Sequence, residues 1–411
     1  MSEVRSQKSQ ISRARLFASL RLWGVFFLVT SSVSAQWIKQ DVETKASLRG
    51  LSVVNEKVIW ASGTGGTVIR TIDAGKTWKV MTVPGAEKLD FRDIEAFDAK
   101  TAYILSIGNG ESSRIYKTVD GGKTWKLQFK NTNEKAFFDA IACWDSRNCI
   151  AVSDPVDGKF LLIQTKNGGT WSTMDSAKMP AAKDGEAAFA ASGTCLITQG
   201  KNNAFLVTGG SAARVFRTND RGKSWQVSDT PMIKGTPGSG IFSIAMRDAK
   251  NGVIVGGNYE KPQARDNTFA RTNDGGATWQ PGPRAHGYRS AVAYIDKDRI
   301  VAVGPNGTEL SPCRSLLWQK LSDDNQNAVA ARTENSIWAV GPNGDVRLLK
   351  PPRGEPWKCI PFPNGFGFPP GITAVTLSHD EIAADCAPSD SQCSTKRGIM
   401  VGAVGRDSRA A

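Results

Sequence analysis

Short apolar runs, each four to six residues long, follow one another along most of the chain, and Gly, Pro, Asn or Asp interrupts nearly every stretch of eight residues. That punctuation argues against a helix-rich protein and predicts strands joined by tight turns. Residues 50–54, 58–63, 67–70 and 78–82 make one set of four such runs, and the set recurs down the chain. Four short strands per period of about 40–50 residues predict a β-propeller blade.

A turn motif marks the same period. Thr71-Ile72-Asp73-Ala74-Gly75-Lys76-Thr77-Trp78 returns as Thr118-Val119-Asp120-Gly121-Gly122-Lys123-Thr124-Trp125. Two further full copies run from Thr218 through Asp220 and Gly222 to Trp225, and from Thr272 through Asp274 and Gly276 to Trp279. A copy one residue short spans 165–171, and Ser311 to Trp318 keeps the ends of the motif without its Asp and Gly. The Asp side chain is expected to accept hydrogen bonds from the amides of its own turn. The Gly is expected to take the positive-φ position, and the Trp to cover the hairpin. Blade openings near 49, 92, 139, 187, 241, 289 and 327 predict an all-β fold: a seven-bladed β-propeller of four-stranded antiparallel blades. The seventh unit lacks a box, so the strand at Trp37-Ile38-Lys39-Gln40 is expected to complete it and close the ring. An eighth blade drawn from 371–406 is the alternative.

Export changes the picture next. Basic residues up to Arg21 precede the apolar run 22–29, and Val33-Ser34-Ala35 fits a cleavage site before Gln36. Residues 1–35 are therefore expected to be a signal peptide, the run being too short for a bilayer span. A soluble protein, periplasmic or secreted, is expected after cleavage. Residues 36–350 form the propeller, and 351–411, with eight of the nineteen prolines and three of the seven cysteines, an irregular extension. In an oxidising compartment Cys143 and Cys149 are expected to bridge a hairpin, with Cys386–Cys393 and the weaker Cys313–Cys359 as further pairings and Cys195 left over.

The chain carries 52 basic and 39 acidic residues. The bases are spread one or two per blade, so the excess does not argue for nucleic acid. Two histidines exclude a multi-His metal site. The box aspartates are expected to bond their own turns rather than calcium. Gly63-Thr64-Gly65-Gly66 and the two Gly-Pro-Asn-Gly turns have no helix after them, so no phosphate loop is expected. No cofactor and no metal are expected.

The boxes resemble the Asp-box, or BNR, repeat. The segments 49–54, 90–98, 185–189 and 286–290 resemble the photosystem II stability and assembly factors and their secreted bacterial relatives, and the likeness runs from about 37 to 350. It implies an exported seven-bladed propeller that binds a protein client rather than turning over a substrate; the arginines at the strand openings make an acidic segment of an envelope or membrane protein the expected client.

Strand openings ring one mouth of a propeller's channel. Read there, Arg49, Arg92, Asp139, Glu186, Ser239, Arg289 and Asn327 converge, with Asp90, Asp93, His286 and Tyr288 close by. The expected binding residues are Arg49, Arg92, Asp93, Asp139, Glu186, His286, Tyr288 and Arg289, because arginine's planar fork suits carboxylates. A salt-bridge network closed on itself is the competing structural reading. Asp-box propellers also include sialidases, so a secreted glycoside hydrolase is the alternative function, with Arg49, Arg92, Arg289, Tyr288, Glu186 and Asp93 in its roles. The Phe/Tyr-Arg-Ile-Pro segment of sialidases is missing, since Phe91-Arg92 continues into Asp93-Ile94.

Overall fold

The computed structural model describes residues 35–312 and 317–350. Seven antiparallel sheets follow one another around a ring. Blade 1 runs from channel to rim through Leu48–Val53, Ile59–Gly63, Thr67–Thr71 and Lys79–Thr82. Blade 2 is Phe91–Ala96, Ala102–Ser106, Arg114–Thr118 and Lys126–Lys130, and blade 3 is Phe138–Cys143, Cys149–Val156, Lys159–Thr165 and Ser172–Thr173. Blade 4 is Leu196–Gln199, Asn203–Val207, Arg214–Thr218 and Gln226–Asp229; blade 5 is Ser239–Met246, Gly252–Asn258, Phe269–Thr272 and Gln280–Pro281. Blade 6 is Ala291–Tyr294, Ile300–Gly304, Gly307–Ser311 and Gln319–Ser322.

Blade 7 takes three strands from the end of the described chain, Ala328–Thr333, Ser336–Val340 and Val346–Lys350, and its fourth from the beginning, Gln36–Lys39. The closing pair is antiparallel, with Trp37 opposite Leu349. Trp37 is buried and its indole donates to Thr308 Oγ1 at 3.0 Å. Blade 7 packs directly on blade 1: Asn327 Nδ2 donates to the Leu48 carbonyl at 2.9 Å, and Trp78 meets Trp338 edge to face at 5.6 Å. That contact leaves no gap for an eighth blade.

The boxes explain the stacking. Asp73 Oδ1 accepts from the Thr77 amide at 2.9 Å and from Thr71 Oγ1 at 2.7 Å, while Oδ2 accepts from Thr77 Oγ1 at 2.6 Å. Bonds from the Thr77 side chain and backbone hold the Asp73 carboxyl down to about 2. Asp120, Asp220 and Asp274 repeat these contacts. The opening threonine adds a bond that the sequence pattern did not announce: its hydroxyl accepts from the amide of Gly75, Gly122 or Gly276 at 2.9 Å, and of Gly222 at 3.0 Å. These glycines sit at φ of 77–83°. Each box caps the preceding blade, as where a side chain at Gly75 would strike Trp338 and one at Gly122 would strike Met81.

The Cys143–Cys149 disulfide is formed and Cys195 is a buried free thiol. The signal sequence, the extension 351–411 and the pairings Cys386–Cys393 and Cys313–Cys359 lie outside the described residues. One expected boundary moves. Blade 4 begins its innermost strand at Leu196, not near 187; Glu186–Ala187 instead pairs with Gly209–Gly210 at the edge of blade 5's sheet.

Candidate functional site at the channel mouth

The innermost strands of blades 1, 2, 3 and 5 each skip one residue in their pairing, and the skipped residues are Arg49, Arg92, Asp139 and Phe242. Such a bulge kinks the strand and re-aims its extra side chain. Here it is used four times at equivalent places, which is why these side chains gather at one mouth.

The segment before blade 4's late start, residues 186–195, crosses that mouth. Arg92 Nη1 donates to the Ala190 carbonyl at 3.1 Å, and Arg49 Nη1 to the Ala191 carbonyl at 3.2 Å. Ser192 Oγ donates to the Ser290 carbonyl in blade 6, and the Ile244 amide of blade 5 donates to the Thr194 carbonyl. Gly193 lies so close to Asp93 that a Cβ there would overlap the carboxylate. This segment spans the channel and gives the arginines a floor.

Arg49 and Arg92 stay half-buried above it. Arg92 Nε pairs with Asp90 Oδ2 at 2.7 Å. Burial, and after it the like charge of Arg92, push the Arg49 guanidinium down. Arg92 thus has one carboxylate partner and Arg49 has none among the described residues, and most of their N–H donors are unfilled by those residues. An aromatic wall stands beside them. Phe189 and Phe242 stack with centroids 3.9 Å apart, Tyr288 meets Phe242 edge-on at 4.7 Å, and the half-exposed Tyr259 meets both phenylalanines edge-on. Burial pushes the Tyr288 hydroxyl up, and the charges of Arg49 and Arg92 oppose that push. The Phe242 and Tyr259 contributions were missed in the sequence. A strand residue and a loop residue share no pattern, and only the unusual length of the loop after Asn258 hinted at the second.

The other expected residues divide into supports. Arg289 is fully buried, donating Nε to Glu309 Oε2 at 2.7 Å and Nη1 to the Tyr288 carbonyl at 3.0 Å. His286 binds the same Glu309 through its ring and its amide. Glu186 is buried against Arg214, whose Nε reaches Oε1 at 2.9 Å, and accepts from Thr208 Oγ1 at 2.6 Å. Arg289 and His286 both reach Glu309, and Glu186 reaches Arg214, so all three have a countercharge inside the protein. The three-arginine arrangement of a sialidase is not assembled.

Asp93 and Asp139 lie below the cup. Asp93 accepts from the amides of Ile94 at 2.8 Å and Ile141 at 2.7 Å, and burial raises its carboxyl to about 7. Asp139 Oδ2 is buried without a hydrogen-bond partner, and burial followed by Asp154 pushes its carboxyl well up. Among the described residues no group of His, Cys, Asp and Glu is placed to hold a metal ion, and no helix is long and apolar enough to cross a membrane.

Comparison with known proteins agrees with this architecture. A solved structure described as YCF48 bound to D1 peptide is similar at 14% identity and a TM-score of 0.56, covering 77% of this chain and 97% of that one. YCF48 from Cyanidioschyzon merolae is similar at 14% identity and a TM-score of 0.57, covering 76% and 98%. The U3-55K structure follows at 12% and 0.51, covering 77% and 98%. No curated protein matches by sequence. The family model of the photosynthesis system II assembly factor YCF48 matches residues 29–126 and 93–362, and the chain belongs to that family.

Proposed function

We propose that this chain is an exported, non-enzymatic scaffold of the assembly- or stability-factor kind, which holds a protein client at the cup formed by Arg49 and Arg92. One observation carries the reading: two adjacent guanidiniums, of which only Arg92 has a carboxylate partner among the described residues, stand beside an aromatic wall at the channel mouth. An acidic side chain or terminal carboxylate of the client would engage the paired arginines, and an apolar neighbour would lie against Tyr259 and Phe189. A similar propeller solved with a D1 peptide supports a peptide ligand here. The client's place in the envelope follows from the signal-like leader.

Affinity capture tests this with residues 36–411 on a resin, envelope extract of the source organism, and an Arg49→Glu/Arg92→Glu variant alongside. A defined client should be enriched by the native protein and lost in the variant, whose melting temperature should stay within about 2 °C. Equal capture by both proteins, or a variant that no longer folds, returns the arginines to a structural role.

A further inference from the structure

The residue just before the box threonine is a cation in blades 1, 2, 4 and 5, a second pattern on the face opposite the cup, with Gln164 in its place in blade 3. Arg70 donates to the Ala99 carbonyl in the next blade's inner hairpin turn and lies against Gly121 of the next box. Lys117 Nζ donates to the Ser146 carbonyl at 3.3 Å and to the Gly168 carbonyl at 2.8 Å, both in blade 3. Arg217 Nη1 donates to the Gly276 carbonyl at 2.8 Å. Each of these cations is consumed as a strut between blades.

In blade 5 the same position is Arg271, which makes no such strut among the described residues. The carbonyl equivalent to those of Ala99 and Ser146 is that of Lys297, and Arg247 takes it. The sixth box, which stands where Gly168 and Gly276 stand for the other struts, has lost its Asp and glycines in sequence, and its residues 313–316 lie outside the described residues. Arg271 is exposed and makes no hydrogen bond or ion pair among the described residues, and neither does the exposed Lys297 ammonium. Both line a cavity of about 710 Å³ with Arg247, Asp248, Gln280 and Tyr294. Asp248 cannot neutralise them: it is occupied by the amides of Lys250 and Asn251 and by Arg247 Nε at 3.0 Å. Asp298, the other carboxylate at the rim, is itself engaged.

We propose that this seam between blades 5 and 6 is a second binding site, independent of the cup, that takes a carboxylate side chain from an acidic peptide segment. Arg271 supplies a planar fork for the carboxylate and Lys297 a point charge. Gln280 and the Tyr294 hydroxyl offer partners for the segment's backbone. Two cations without a partner among the described residues stand over a cavity, and an anion would give them the acceptor that a carbonyl gives Arg70, Lys117 and Arg217.

Amidated hexaglutamate, with amidated hexalysine as control, tests it by calorimetric titration and hydrogen exchange on the full chain. Hexaglutamate should protect 247–253 and 271–280, in the native protein and in Arg92→Glu alike. Its affinity should fall at least about ten-fold in Arg271→Gln, and in Lys297→Gln, whose exposed side chain carries no fold contact. No binding by the native protein, equal binding by hexalysine, unchanged binding in both variants, or protection confined to the cup would each overturn the proposal.

Discussion

Ala74 and Arg221 hold φ of 63° and 61° at the box position where Gly121 and Gly275 stand in other copies. A side chain in that left-handed region is strained, and the strain persists because the threonine and aspartate bonds on either side fix the turn. Ala74→Gly should therefore stabilise the protein by about 0.5–1 kcal/mol, read from chemical denaturation, despite glycine's larger unfolded-state entropy. Arg221 is not equivalent, since its Nε donates to the Lys201 carbonyl and its guanidinium lies 5.5 Å from the Trp144 ring. The buried carboxyls below the cup make a different prediction. Asp93 and Asp154 are raised by burial to about 7 and about 6, against about 4 in an unfolded chain. Between those values the folded protein binds more protons than the unfolded one, so stability is greatest at the acid end of that window and falls as pH rises through it. Asp139, raised by the same burial, contributes with the same sign. Asp139→Asn, which keeps the volume and cannot ionise, should melt above the native protein near about pH 8 and converge with it near about pH 4. A constant gap at both pH values would mean that Asp139 is not held protonated.

At the scale of elements, the boxes were legible because they are local: donor, acceptor and glycine all lie within eight residues, so spacing alone reveals the turn. The blade count followed from their period. The late start of blade 4 was not legible, because Gly185–Phe189 carries the same mixture of small, acidic and apolar residues as a true opening. Pairing partners decided the matter, and pairing is long-range. The same reason hid the supports at the mouth. Arg289 and Glu309 are 20 residues apart and Glu186 and Arg214 28, and neither pair lies on strands that hydrogen-bond to each other, so only the assembled sheets bring them together. Arg49, Arg92 and Asp139 stand at one offset from their strand openings, which the sequence shows, although the bulge that sits there leaves no mark in it. The closing strand makes the element-scale prediction. Trp37→Ala removes a buried indole and its bond to Thr308, and should cost about 3–5 kcal/mol and broaden the unfolding transition. A change below about 1 kcal/mol would mean that the strand is held by its backbone pairing alone.

For the whole molecule, the two faces of the disc differ in what their cations do. On one face the arginines stand on a floor of carbonyls and are left half-satisfied. On the other, the cations brace blade against blade, except in blade 5, where Arg271 makes no such bond among the described residues. A ring built from near-copies thus acquires individuality through its defects, and those defects are where a sequence read by its period is least informative. The joint between the ends of the described chain has a consequence in time. Trp37 and Thr308 meet across 271 positions, and Asn327 and Leu48 across 279. The strand that leaves the ribosome first is thus needed last, and it waits unpaired while six blades and most of a seventh are made. Contacts of such separation form slowly. The ring therefore snaps shut as a late, single event, and a molecule interrupted shortly before residue 346 is left as an open crescent with a bare sheet edge at each end.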